Sequence, residues 1–163
     1  MNRRLIISAA LLVGLAGCSS STPADDSTTE PTATATAEQS PELATCEGFF
    51  EGTGTPLAER AENARTALSG GEIVDDTTYT EVNALEQRIT ELGADAPTDL
   101  AALLEEVNAP FTAAVDEVNT ARAAEVPEGE EPGFPDLSQI DVAGSEAAQE
   151  ELDTACADAG YGA

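Results

Sequence analysis

Beyond residue 55, apolar residues recur at helical spacing along most of the chain. Leu57, Ala61, Ala64 and Leu68 share one face of a segment that opens on Thr55-Pro56 and stops at Gly70-Gly71. A capping threonine, proline at the first helical position and glycine past the end are the usual asymmetry of helix termini. Tyr79, Val82, Leu85, Ile89 and Leu92 line a second face, with Thr78-x-x-Glu81 at its start and Gly93 at its end. That spacing of threonine and glutamate is a capping box. A third stretch begins at Pro97 and carries Leu100, Leu103, Leu104, Val107, Phe111, Ala114, Val115, Val118 and Ala121. The period passes Pro110 without a slip, which predicts one long helix kinked at the proline. Two shorter helices meeting at Asn108-Ala109-Pro110 are the alternative. Residues 126–135 read as a Pro/Gly/Glu loop. A fourth face follows from Asp136-x-x-Gln139 through Leu137, Ile140, Ala148, Leu152 and Ala155, with Gly144 marking a place for a break and a fresh start at Ser145. No segment alternates as a half-buried strand does. The pattern predicts an all-α fold: a small up-and-down bundle of about four helices.

The first residues follow another rule. Met1-Asn2-Arg3-Arg4 precedes an apolar run from Leu5 to Ala16, then Gly17-Cys18-Ser19-Ser20. Two arginines before about a dozen apolar residues have the layout of an export signal. The run is shorter than the roughly 20 residues a spanning helix needs. Leu15-Ala16-Gly17-Cys18 resembles the lipobox of bacterial lipoproteins. That resemblance implies a diacylglyceryl group on Cys18 and cleavage just before it, making residues 1–17 a signal peptide. It covers this segment alone, and it implies an anchor and an extracytoplasmic, membrane-attached location without implying an activity. Two acyl chains suit such an anchor, because one chain binds membranes only marginally. An ordinary cleaved signal that happens to end near a cysteine is the competing reading.

Between residues 18 and 45 the periodicity disappears. Ser, Thr, Pro, Ala and acidic residues dominate, and Leu43 is the single large aliphatic. Such a stretch has too little apolar surface to offset the entropy of ordering, so it reads as a flexible tether behind the lipidated cysteine. Residues 46–163 are then the acidic helical domain.

Composition narrows the chemistry. The chain has 6 Lys+Arg against 32 Asp+Glu and no histidine, and all six basic residues are arginines. Beyond residue 17 only Arg60, Arg65, Arg88 and Arg122 remain to offset the acids. A surface of that sign does not bind nucleic-acid phosphates, and anionic headgroups repel it, so membrane contact is expected through the lipid alone. Without histidine or lysine there is no Ser-His-Asp triad, imidazole metal ligand, Schiff base or phosphate-loop lysine. No cofactor motif is present. Leu, Ile, Val and Phe are sparse in residues 46–163, as in disordered chains, but disorder does not predict periodic apolar faces with matching caps.

Cysteine arithmetic supplies one covalent expectation. If Cys18 carries lipid, Cys46 and Cys156 remain as an even pair in an exported chain, where disulfides persist. Helices in up-and-down order bring the two ends of the domain together, so a Cys46–Cys156 disulfide joining the termini is expected.

The remaining candidate sites have plain structural alternatives. Glu128, Glu130 and Glu131 in the acidic loop from Glu125 to Asp136, and the Asp75-Asp76 pair, offer oxygens for calcium, but neither matches an EF-hand loop. Carboxylate pairs suited to glycoside hydrolysis are unavoidable among so many acids, and none is marked by a surrounding motif. Phe134, between Gly133 and Pro135, either folds back over the bundle or stands out as an anchor for a partner. The composition, rich in Ala, Thr and acids and free of lysine, resembles small lipoproteins of high-GC Gram-positive bacteria. The reading that follows is a non-catalytic, membrane-anchored domain for binding or envelope organisation, with a cationic protein as its favoured partner. A carrier with a pocket for an apolar or cationic small molecule between its helices is the alternative, and a carboxylate-based hydrolase stands third.

Overall fold

A computed structural model describes residues 39–124 and 133–162. Among these the fold is all-α, with no strand: α1 (Pro41–Phe50), α2 (Leu57–Ser69), α3 (Asp76–Asp95), α4 (Thr98–Ala123) and α5 (Ala143–Asp158). A disulfide between Cys46 and Cys156 joins the first helix to the last.

There are five helices where the periodicity predicts about four, and the additional one lies across the boundary drawn at Cys46. The Ser40 side chain accepts the Leu43 N–H, Pro41 takes the first helical position and Glu42 sits in the first turn. These are ordinary start signals, in a stretch whose composition otherwise reads as tether. A ten-residue helix is marginal alone. Tertiary contacts hold this one: Cys46 and Phe49 are wholly buried. Gly48 lets it approach α3, since a Cβ there would lie 2.8 Å from a Leu92 methyl.

Three further starts differ from the pattern. α2 begins at Leu57 with Pro56 in the cap position and no side-chain cap, so Thr55 does not cap it. Asp75 caps α3, accepting the Thr77 and Thr78 N–H groups, while the Thr78 hydroxyl reaches back to the Asp75 N–H. The box therefore lies three residues before Thr78-x-x-Glu81. At the other end, Asp136 holds a turn in which Ser138 donates to it through both N–H and hydroxyl. α5 begins only at Ala143, close to the restart read at Ser145. Leu137 is buried from that turn and not from a helix.

Gly71 closes α2 as expected. Its N–H bonds the Leu68 carbonyl and the next N–H, of Glu72, reaches Ala67. This reversal needs a left-handed residue, and Gly71 has φ 65°.

α4 continues through Pro110 as one helix. The proline ring removes the N–H that would bond the Glu106 carbonyl, and burial of Pro110 and Phe111 on the core side offsets the loss. α3 and α4 are antiparallel. Gly93 faces Leu104, Asn108 bonds Thr90 and Arg122 pairs with Asp76, so one helix ascends as the other descends. This is the most extensive seam, followed by α4 against α5. The shared core includes Val82, Leu85, Ile89, Leu104, Phe111 and Leu152, each almost fully buried.

Candidate functional site

Most core-facing positions are apolar, so the exceptions stand out. Thr45 on α1 satisfies its hydroxyl locally on the Pro41 carbonyl, while Arg65 on α2, Asn108 on α4 and Ser145 on α5 occupy the buried stripe of their helices and bond across to other helices. A buried polar group is stable only when hydrogen-bonded, and a buried charge also needs compensation.

Arg65 and Ser145 are linked. The Arg65 guanidinium donates through Nη1 to Ser145 Oγ (3.3 Å) and through Nη2 to Gln149 Oε1 (2.9 Å). Ser145 Oγ in turn donates to the Val107 carbonyl (2.6 Å). The chain of bonds runs from α2 through α5 to α4. α2 and α5 do not pack closely against one another, and the arginine spans the gap. Above it lies an open groove of about 540 Å³, with Glu62 and Thr66 on one wall, Glu146, Glu150 and Asp153 on the other, and Phe50 at one end.

The charge arrangement in this groove is unusual. Arg65 is only 7% exposed. Burial pushes its guanidinium below the ordinary arginine value, and the nearby charges of Glu146 and Glu62 pull the other way. Yet among the described residues no carboxylate lies within ion-pair distance of Arg65. Ion pairs form instead at the more exposed arginines, Arg60 with Glu81 and Arg122 with Asp76. The buried cation is held by neutral oxygens, and most of its five N–H donors are left over.

Asn108 presents the complementary case, an orphaned acceptor. Its Nδ2 donates to the Glu86 carbonyl (3.1 Å) and Thr90 Oγ1 (3.0 Å), while Oδ1 is buried with no partner. Exchanging the two amide atoms would set oxygen against the Glu86 carbonyl, so that contact fixes the orientation. Asn108 lines a groove of about 570 Å³ between α3 and α4, beside Glu86, Glu105 and Thr112. A third groove, between α2 and α3, is mainly apolar, with Ala64, Ala67 and Ile73 on its floor.

The candidates from the sequence take these places. Cys18 lies outside the described residues, as do Glu128, Glu130 and Glu131 of the acidic loop. Cys46 and Cys156 are bonded, with Cα atoms 5.6 Å apart. Asp75 and Asp76 have structural work: the first caps α3 and the second pairs with Arg122. Hydrogen bonds hold two carboxyls below the usual range, at Asp75 chiefly from the Thr78 N–H and at Asp136 chiefly from the Ser138 hydroxyl. A general acid at neutral pH needs the opposite shift. Among the described residues no group of three or more Cys, Asp or Glu side chains converges to hold a metal, and no helix is long and apolar enough to cross a membrane.

Phe134 folds back onto the bundle. Its ring meets Tyr79 edge to face at 6.2 Å, and Arg122 lies over the other ring at 5.2 Å. Tyr161, near the last described residue, stacks on Phe50 with ring centroids 5.7 Å apart.

Arg65, Asn108 and Ser145 are not among the candidate sites expected from the sequence, although the signal is present. Arg65 falls in step with Ala61 and Leu68, Asn108 with Leu104 and Phe111, and Ser145 with Ala148 and Leu152. A polar residue in register with an apolar stripe marks a buried polar contact. No protein-family model, curated protein or solved structure matches this chain.

Proposed function

We propose that the chain is a lipid-anchored extracytoplasmic binding protein, held at the membrane through Cys18 and presenting its acidic helical domain to a cationic partner. The buried disulfide between α1 and α5 carries this reading. Structural disulfides persist in oxidising compartments, which agrees with the export signal and lipobox-like residues 1–18. The up-and-down order belongs to the same reading and is supported by the antiparallel α3 and α4. With 32 acidic residues and few cations, long-range attraction favours positive partners and weakens as salt screens it.

The test is native protein from membranes. Intact mass should show a chain beginning at Cys18 with two or three acyl groups, and Cys18→Ala should move the protein to the soluble fraction. A native chain beginning elsewhere, or a membrane-bound Cys18→Ala variant, overturns the anchor. Partners retained at low salt should be basic and should elute as salt rises; salt-insensitive capture overturns the electrostatic part.

The α2/α5 groove specifically favours a second reading, a carrier or sensor of a small molecule. Its volume is of the order of small-ligand sites, as are those of the other grooves, and the buried Arg65 guanidinium with its bonds to Ser145 and Gln149 sets it apart.

A further inference from the structure

We propose that the α2/α5 groove binds a small zwitterion, an α-amino acid, with the ligand's carboxylate on Arg65 and its ammonium among the carboxylates of the walls. The proposal rests on the binding reading above and names the ligand class for that second form of it.

Three observations converge. The first is Arg65 itself, a cation more than nine-tenths buried that carries no carboxylate at ion-pair distance among the described residues. Desolvating a charge without a counter-ion is costly, and in so acidic a domain a counter-ion was easily available. Glu62 lies one turn before Arg65 on the same helix and Glu146 follows Ser145, yet Arg65 bonds the neutral Ser145 and Gln149. Those two bonds fix the planar fork at the floor of the groove and leave further N–H donors for another acceptor. A guanidinium fork matches a carboxylate in two parallel bonds.

The second observation is the sign of the walls. Glu62, Glu146, Glu150 and Asp153 surround the opening. They would repel a simple anion such as acetate or phosphate from Arg65, and they would attract an ammonium group. A ligand that carries both charged groups on one carbon satisfies floor and walls together. The third is the shape. α2 and α5 stand apart along this face, the opening measures about 540 Å³, and the half-buried Phe50 and Val142 offer apolar surface for a side chain.

Titration of the full-length protein in detergent micelles tests this, with glycine, leucine, phenylalanine and glutamate as probes and acetate and methylammonium as half-ligands. Calorimetry reads affinity, and amide shifts at Arg65, Ser145 and Gln149 locate the site. At least one amino acid should bind saturably below about 10 mM, and acetate and methylammonium should each bind at least about tenfold more weakly. Arg65→Met should remove binding. Glu146→Gln, at an exposed position that cannot unfold the domain, should weaken it several-fold. The proposal fails if no amino acid binds, if acetate binds as well as the amino acids, or if a folded Arg65→Met protein binds unchanged. Should Arg65→Met lose its fold, Glu146→Gln decides, and unchanged affinity there sinks the zwitterion. None of these failures touches the membrane anchor or the salt-dependent partner, which are read from acyl mass and capture.

Discussion

The seam between α3 and α4 and the gap between α2 and α5 both contain buried polar side chains, Asn108 in the first and Arg65 with Ser145 in the second, and they treat them in opposite ways. Across α3/α4, Leu85, Ile89, Leu104 and Phe111 pack without solvent, and Asn108 is tolerated because its amide bonds α3 twice. Across α2/α5 there is little direct packing, and a single arginine reaches over the opening to Ser145 and Gln149. The first seam makes the domain stable; the second is free to be a site. Binding surfaces need not be the best-packed parts of a fold, and regions of few apolar contacts open most readily.

The largest effect should come from the covalent tie. α5 packs along α4 but not closely on α2, so Cys46–Cys156 supplements a one-sided hold on it. It closes a separation of 110 residues, for which chain entropy allows a contribution up to about 4–5 kcal/mol. Replacing both cysteines by serine should lower the denaturation midpoint sharply, and hydrogen exchange should quicken in α5 before α3. Equal quickening in both helices would remove the distinction between the two seams.

Leu104→Ala probes the packed seam. Leu104 is about 1% exposed and faces Gly93, so the loss should be about 3 kcal/mol, within the spread of buried leucine truncations. Chemical denaturation measures it. Arg65→Met probes the open one and should change stability by no more than about 1.5 kcal/mol in either direction. Ser145 keeps its bond to Val107, and Gln149 is accessible to water. A loss comparable to that of Leu104→Ala would mean that the arginine bridge is structural and that the two seams are alike.

The smallest effect belongs to the caps, and its sign follows from the lowered carboxyl pKa of Asp75. A folded pKa below the unfolded one contributes stability that is present above the unfolded value, near 3.8, and is lost as pH falls through the folded value. The cap of α3 should therefore weaken in acid, and Asp75→Ala should lose that part of the pH dependence. Carbon-detected titration of Asp75 checks the direction; a folded pKa at or above 3.8 contradicts it.

Much of this fold was legible in the chain. The apolar faces of α2, α3 and α4 appear at their spacing, and the stop at Gly71 follows from glycine's access to positive φ. The pairing of Cys46 with Cys156 followed from counting cysteines and placing the ends of the domain together. α1 was hidden because Ser, Pro and Ala are equally at home in linkers. Only Phe49 and Cys46 finding a core distinguishes Pro41–Phe50 from tether. The late start of α5 was hidden for a related reason: Asp136 and Ser138 make a local turn whose hydrogen bonds compete with a helix.

By itself, the sequence determined the helical class, the excess of carboxylates and the chemistries excluded by missing histidine and lysine, since these depend on residue type and short-range spacing. Tertiary structure alone decided which helices touch. Periodicity says that a face must be covered and is silent about what covers it, so it did not reveal that α3 closes on α4 while α2 stands off from α5. The same arginine that reads as one basic residue among six became a buried cation over an open groove, because burial and ion pairing depend on neighbours 80 residues away.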